Sequence, residues 1–131
     1  MSFRYAYGPY LAKDVVMKDG VSIDQGEMVE IESAEADYGV SGSTTLVGIA
    51  AESVDNAADG ESISVIVAQE STRFAVVDAT ARVISAPLDI NGTFDGVTTS
   101  SNKDVVVAES CTATEDTIIM IHPKKTAFYN A

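Results

Sequence analysis

The sequence has no tryptophan, a single cysteine (Cys111), a single histidine (His122) and only 8 basic residues against 20 acidic ones. Each scarcity excludes something. One cysteine cannot close an intrachain disulfide, so no disulfide framework is expected, which fits synthesis in a reducing compartment. With one His and one Cys, a structural zinc site is excluded. A formal charge of −12 disfavours nucleic-acid partners and anionic membrane surfaces, because phosphates are held by Lys and Arg. No apolar run approaches the ~20 residues that cross a bilayer. The opening MSFRYAYGPYLAKD lacks the continuous apolar stretch of a secretory signal. At 131 residues the chain fits one domain and is too short for a Rossmann dehydrogenase, a TIM barrel or a kinase.

What is present is small and β-branched. Hydrophobic residues make up 46%, and 17 residues are Ala, so the expected core is thin and built from Val, Ile and Ala. A thin core is marginal and gains from association with other chains. Charge is uneven. Residues 1–70 hold 13 acids and 3 bases, residues 71–131 hold 7 acids and 5 bases, and the stretch 19–37 carries seven acids and no base. Residues 1–18, with Arg4, Lys13 and Lys18 against Asp14, are mildly basic.

The aromatic residues crowd the ends. Of Phe3, Tyr5, Tyr7, Tyr10, Tyr38, Phe74, Phe94, Phe128 and Tyr129, six lie within ten residues of a terminus. Phe3, Tyr5 and Tyr7 alternate with Arg4 and Ala6, the period of a strand with one apolar face, and Gly8-Pro9 ends it. This pattern predicts an extended N-terminal arm over 1–14, mobile alone and ordered on a partner, followed by a single β domain over 15–131. Phe3, Arg4, Tyr5, Tyr7 and Tyr10 are the predicted partner-binding residues, since an extended aromatic segment can add to a neighbour's sheet edge.

The body reads as strands throughout. Val29 and Ile31 alternate with Glu30 and Glu32. Thr45–Ala50, Ile63–Val67, Phe74–Val77, Arg82–Ile84, Val105–Val107 and Thr117–Ile121 are further strands. Asp19-Gly20 and Gln25-Gly26 are turns. Residues 54–60 form a polar loop with room for one helical turn, and 87–102 an exposed loop region around Phe94. No window carries a helical apolar stripe, so the expectation is an all-β fold, a small barrel, β-tulip or sandwich with extended terminal arms.

Chemistry is sparse. His122 and Cys111 are the only components of a nucleophilic dyad, and acid beside Cys111 is the opposite of what a nucleophilic thiolate needs, so both read as structural. Residues 55–60 miss the ligand spacing of a calcium loop, and so does the oxygen-rich stretch 89–96, which is left with adventitious calcium at most. Lys18, at a turn beside Met17, has part of the pattern of a biotinyl-carrier lysine but lacks the second Met. There is no phosphate loop or dinucleotide fingerprint. No cofactor, metal or catalytic site is expected, and the abundant carboxylates read as a solvated acidic face.

The order Val21-Ser-Ile-Asp-Gln-Gly26-Glu-Met-Val-Glu-Ile31, followed by Gly48-Ile-Ala-Ala-Glu-Ser-Val-Asp-Asn-Ala-Ala-Asp-Gly60-Glu-Ser-Ile63-Ser-Val65, resembles the small capsid decoration, or cement, proteins of tailed bacteriophages. The resemblance covers roughly 15–85. It implies a β-rich fold, homotrimers at the three-fold points of an icosahedral shell, the major capsid protein as partner, and a place on the virion surface after synthesis in the host cytoplasm. It implies no catalytic residues. The alternative from the residues themselves is a carbohydrate- or receptor-binding β module of a phage fibre or surface structure, in which the rings would sit on a folded platform.

Overall fold

The computed structural model describes residues 2–99 and 101–126. The second aromatic cluster, Phe128 and Tyr129, lies outside them. Eleven strands form two antiparallel sheets. The larger contains β1 (Arg4–Tyr7), β7 (Arg73–Val76), β11 (Thr117–Ile121), β10 (Val105–Val107), β8 (Pro87–Ile90) and β9 (Val97–Thr99), in that spatial order. The smaller contains β2 (Ala12–Val16), β6 (Ser62–Val67), β5 (Leu46–Ala50), β3 (Met28–Glu32) and β4 (Glu35–Tyr38). The only helical element among the described residues is a 3-10 turn at Pro123–Lys125. The fold is an all-β sandwich, not a closed barrel.

Two cores flank the smaller sheet. Between the sheets lie Phe3, Met28, Leu46, Ile49, Ile66, Phe74, Leu88, Ile119 and their neighbours. On its far side lie Met17, Ile23, Val29, Val47, Ala57, Ile63 and Val65. A register shift in the β3–β5 pairing, where Val29 lies opposite Gly48 and Glu30 opposite Leu46, interrupts simple alternation in β5, so Leu46 and Ile49 face one core and Val47 and Ala50 the other. All five β5 residues are buried, which is why this strand is a continuous apolar run. The far core is roofed by loops. Gly20 N–H donates to Ala57 O at 2.8 Å, Ala57 N–H donates to Val21 O at 3.0 Å, and Ile23 bridges Val54. At one end Met17 bridges Ala36, so β2 and β4 approach each other without closing the sheet.

The N-terminal residues depart from the expected arm. β1 pairs with β7, through Arg4 opposite Ala75 and Tyr5 opposite Phe74, and β2 pairs with β6 over its whole length. Phe3 is 1% exposed in the inter-sheet core. The physical reason is that Phe3 has a place to bury its ring within its own chain, between the two sheets, and that β1 and β2 each find an edge strand of their own chain to pair with. The boundary at 14/15 therefore falls inside β2, and residues 2–14 are integral to the sandwich. Two smaller readings also change. The region 87–102 contains the β8–β9 hairpin, with Leu88 opposite Thr99, because Leu88 and Ile90 supply an apolar face that its polar residues obscured. Arg82–Ile84 is a turn with one bridge, Arg82 to Cys111, leaving Val83 and Ile84 exposed.

Asp104 ties the sandwich together at one end. Its fully buried carboxylate accepts from Gly42 N and Ile90 N, each at 2.9 Å, with Lys125 Nζ 4.0 Å away. Buried charge survives only when its lone pairs are so occupied.

Three stability outcomes follow. Phe3→Ala removes a fully buried ring and is expected to cost about 3–5 kcal/mol in urea denaturation. Deleting residues 2–7 should lower the melting temperature by many degrees, whereas an unchanged melt would restore the free arm. On β3, burial holds the Glu30 carboxyl above its ordinary value near 4.5, with Asp37, its cross-strand partner, adding like charge. A raised folded-state pKa gives stability that is full below the ordinary value and fades as pH rises through the folded value. Glu30→Gln, which keeps an acceptor for Val40 N–H, should therefore raise the melting temperature at pH 7 and have no such benefit below pH ~4.

Candidate partner-binding surface

The predicted binding residues lie where the chain leaves one sheet for the other. β1 ends at Gly8, whose φ of +95° and close approach to Ser71 exclude other residues: a Cβ there would lie 2.0 Å from the Ser71 carbonyl oxygen. Thr72 Oγ1 then donates to Pro9 O at 2.8 Å, fixing the crossover. Tyr10 and Leu11 lead into β2, the first strand of the smaller sheet.

The five residues have different fates. Phe3 is core, and its N–H donates to Gly26 O at 2.9 Å. Arg4 forms an ion pair with Asp116. Tyr5 is half-buried, donates its hydroxyl to the Gly8 carbonyl and meets Tyr10 edge-to-face with centroids 5.0 Å apart. Tyr7 donates its hydroxyl to Glu109; that bond, then burial and the Glu109 charge, push the phenol pKa up. Tyr10 is 59% exposed. The structure brings Phe3, Arg4, Tyr5 and Tyr10 together around one cleft of about 300 Å³, and leaves Tyr7 outside its lining.

The rest of that lining, including Gln25, Gly26, Ile49 and Ile66, comes from the smaller sheet and its turns. Sequence reasoning missed these residues because nothing local marks them as neighbours of β1. Only Gly26 carried a signal, as a turn glycine. Its φ is +86°, and a Cβ would lie 2.5 Å from Ser2 Cβ.

The second feature is a free sheet edge. Leu11 O accepts from Val67 N–H and Met17 N–H donates to Glu61 O, each at 2.8 Å. With the β2–β6 register, these bonds make Leu11, Lys13, Val15 and Met17 the residues bonded to β6. Ala12, Asp14 and Val16 therefore turn their backbone groups outward. The surrounding side chains Tyr10, Leu11 and Val16 are exposed. The other edges are occupied or short. Phe3 ties β1 to Gly26, and β1 has a register shift between Tyr5 and Tyr7. Lys18 N–H donates to Ala36 O of β4 at 3.0 Å, and β9 has three residues.

The remaining candidates are placed as follows. Cys111 Sγ contacts Thr117 Oγ1 at 3.6 Å, while His122 Nδ1 accepts from Lys124 N–H at 3.2 Å. No hydrogen bond joins the two. Lys18 is paired with Asp37 at 3.5 Å and Glu32 at 4.0 Å. In the 89–96 stretch, Asp89 accepts from the backbone of Ser101, Asn102 and Lys103, and Asp95 accepts from Thr93 and Asn91. Among the described residues no group of three or more His, Cys, Asp or Glu side chains is placed to hold a metal ion, and no helix is long and apolar enough to cross a membrane.

No family model matches the chain, and no curated protein matches it in sequence.

The Tyr7–Glu109 bond has a spectroscopic consequence. In an alkaline titration followed by phenolate absorbance, one tyrosine should ionise later than an ordinary phenol, and Glu109→Gln should bring it back toward the ordinary range. An unchanged titration in that variant would show that the bond is not formed in solution.

Proposed function

We propose that this chain is a capsid decoration protein, a structural module that seats on the outside of an icosahedral phage shell and stabilises it. Its partners in this reading are the major capsid protein and two further copies of itself, as a homotrimer at a three-fold position of the virion surface. It uses no cofactor, performs no catalysis, and engages neither nucleic acid nor membrane.

The observation that carries the reading is the open edge of β2. Unpaired strand edges are normally covered or blunted, because they recruit other chains. Among the described residues, Ala12 and Asp14 turn backbone groups away from β6, beside exposed Tyr10, Leu11 and Val16, before the edge meets β4 at Met17. An extended segment of the capsid protein can add to such an edge, with backbone bonds giving affinity and flanking side chains giving selectivity. The docking element is thus a rigid edge in place of a flexible arm. The resemblance over 15–85 supports the same reading, as does a thin-cored chain that gains stability from a symmetric partner.

Proline separates docking from folding. The N–H of Asp14 points away from β6, so Asp14→Pro removes an outward donor and spares the internal ladder. The N–H of Lys13 points into that ladder, so Lys13→Pro should damage the fold itself. Co-sedimentation with shells assembled from the source's major capsid protein is expected to show saturable binding by the native chain. Binding should fall at least tenfold in Asp14→Pro with little change in melting temperature. Full binding by Asp14→Pro would remove the β2 edge as the docking element. No binding by the native chain would remove the decoration reading, and isolated monomers on the particle would remove the trimer.

A further inference from the structure

We propose that the cleft between the start of β1 and the β5 and β6 strands of the smaller sheet is a binding site for a neutral sugar ring. This goes beyond attachment to a shell, and it stands on the cleft's own geometry.

The cleft holds about 300 Å³, the lower end of the range for small-molecule sites. Its lining joins two kinds of group. Phe3, Ile49 and Ile66 are buried and apolar, while Arg4 and Gln25 bring polar side chains to the opening. Tyr5 and Tyr10 form one wall. Their edge-to-face contact at an interplanar angle of 88° holds Tyr10 upright by packing, although that residue is 59% exposed. A solvent-facing ring packed against its neighbour, beside hydrogen-bonding groups, suits a ligand with one C–H face and a rim of hydroxyls. A pyranose has both. Its apolar face lies against a tyrosine, and its hydroxyls meet groups that can donate or accept.

Other occupants fit less well. An extended peptide needs a row of free backbone groups, but Phe3 N–H is already bonded to Gly26 and β1 shifts register after Tyr5. Anionic ligands, including acidic sugars and nucleotides, approach a half-chain of net −10, and Arg4, the cation of the described lining, has its charge offset by Asp116 while its guanidinium keeps further N–H donors for a neutral ligand. A lipid tail would leave the polar rim unmatched. A neutral carbohydrate avoids all three penalties.

Two-dimensional 1H–15N NMR of the full chain tests this with glucose, galactose, mannose and N-acetylglucosamine, each titrated to tens of millimolar. At least one sugar should shift the amides of Phe3–Tyr5, Tyr10, Gln25, Gly26 and Ala51 in a saturable way, with affinity in the millimolar range. Tyr10→Ala should weaken binding about tenfold, which corresponds to ~1.4 kcal/mol, and Tyr10→Phe should keep it within a factor of about two. Because Tyr10 is exposed, both variants are expected to melt like the native chain, and Val83→Ala serves as a distant control. Saturable shifts confined to this cleft support the site. The proposal is overturned if none of the four sugars shifts these amides, if shifts fall elsewhere, or if Tyr10→Ala binds as well as the native chain. Shell binding is not read in this experiment, so its failure leaves the decoration reading standing.

Discussion

Burial of β5, the central strand of the smaller sheet, on both faces is the constraint that shapes the rest of the molecule. A strand covered on both faces has no solvent side on which to place large or charged residues. β5 meets this with Leu46, Val47, Gly48, Ile49 and Ala50. Gly48 shows how little room is left, since a Cβ there would lie 1.8 Å from Ile66 O. The two layers outside it differ in kind. One is the larger sheet, with Phe74, Val76, Ile119 and Ile121 facing inward. The other is a set of loops whose Ile23 and Ala57 are held down by backbone bonds. The abundance of Ala and the absence of Trp follow from this geometry. Short side chains let a sheet be covered twice within a 131-residue chain.

The first sixteen residues join the layers. β1 belongs to the larger sheet and β2 to the smaller, so the crossover at Gly8-Pro9 spans the sandwich at its open side. Phe3 fills the space between them. Phe3, with Tyr5 partly buried against it, is therefore a packing device, because the chain closes its own core from the edge. The same device leaves Tyr10 outside, beside a cleft that neither sheet fills. Closing a sandwich with a strand crossing from one sheet to the other produces an exposed aromatic and a concave seam in one place.

Strand identity was legible in the sequence wherever alternation or a fully apolar run was present, as in β5, β6, β10 and β11, and the Asp19-Gly20 and Gln25-Gly26 turns sit where their residues require. The β8–β9 hairpin was hidden because Asp89, Asn91, Thr93 and Asp95 look like loop chemistry. Their side chains are spent on backbone and neighbouring groups that build the hairpin and the loop after it. Arg82–Ile84 failed in the opposite sense: β-branched residues suggested a strand, yet Ser85 at φ +73° forces a turn. The rings at Phe3, Tyr5, Tyr7 and Tyr10 were correctly picked out as unusual, but period-2 patterning does not say whose sheet a strand joins. That depends on long-range pairing with β7, some 70 residues away. The cleft was illegible for the same reason, since its far wall comes from Gln25, Ile49 and Ile66.

Charge placement adds the last step. The acidic excess of the N-terminal half includes β3, β4 and the turns beside them, where Glu30, Glu32, Glu35 and Asp37 share one hairpin and Lys18 offsets only part of their charge. Like charges across a strand pair lower stability and discourage further pairing at that edge. β2 differs. Lys13 and Asp14 cancel, and Ala12, Val15 and Val16 complete the strand. Of the sheet edges among the described residues, β4 is acidic and bridged to the end of β2 at Met17, β9 is three residues long, β1 is tied to Gly26, and β2 is near neutral with Ala12 and Asp14 turned outward ahead of that bridge. Repulsion at one edge of the smaller sheet and neutrality at the other direct association toward β2. A strongly acidic protein thereby stays dispersed while keeping one edge on which a second chain can pair.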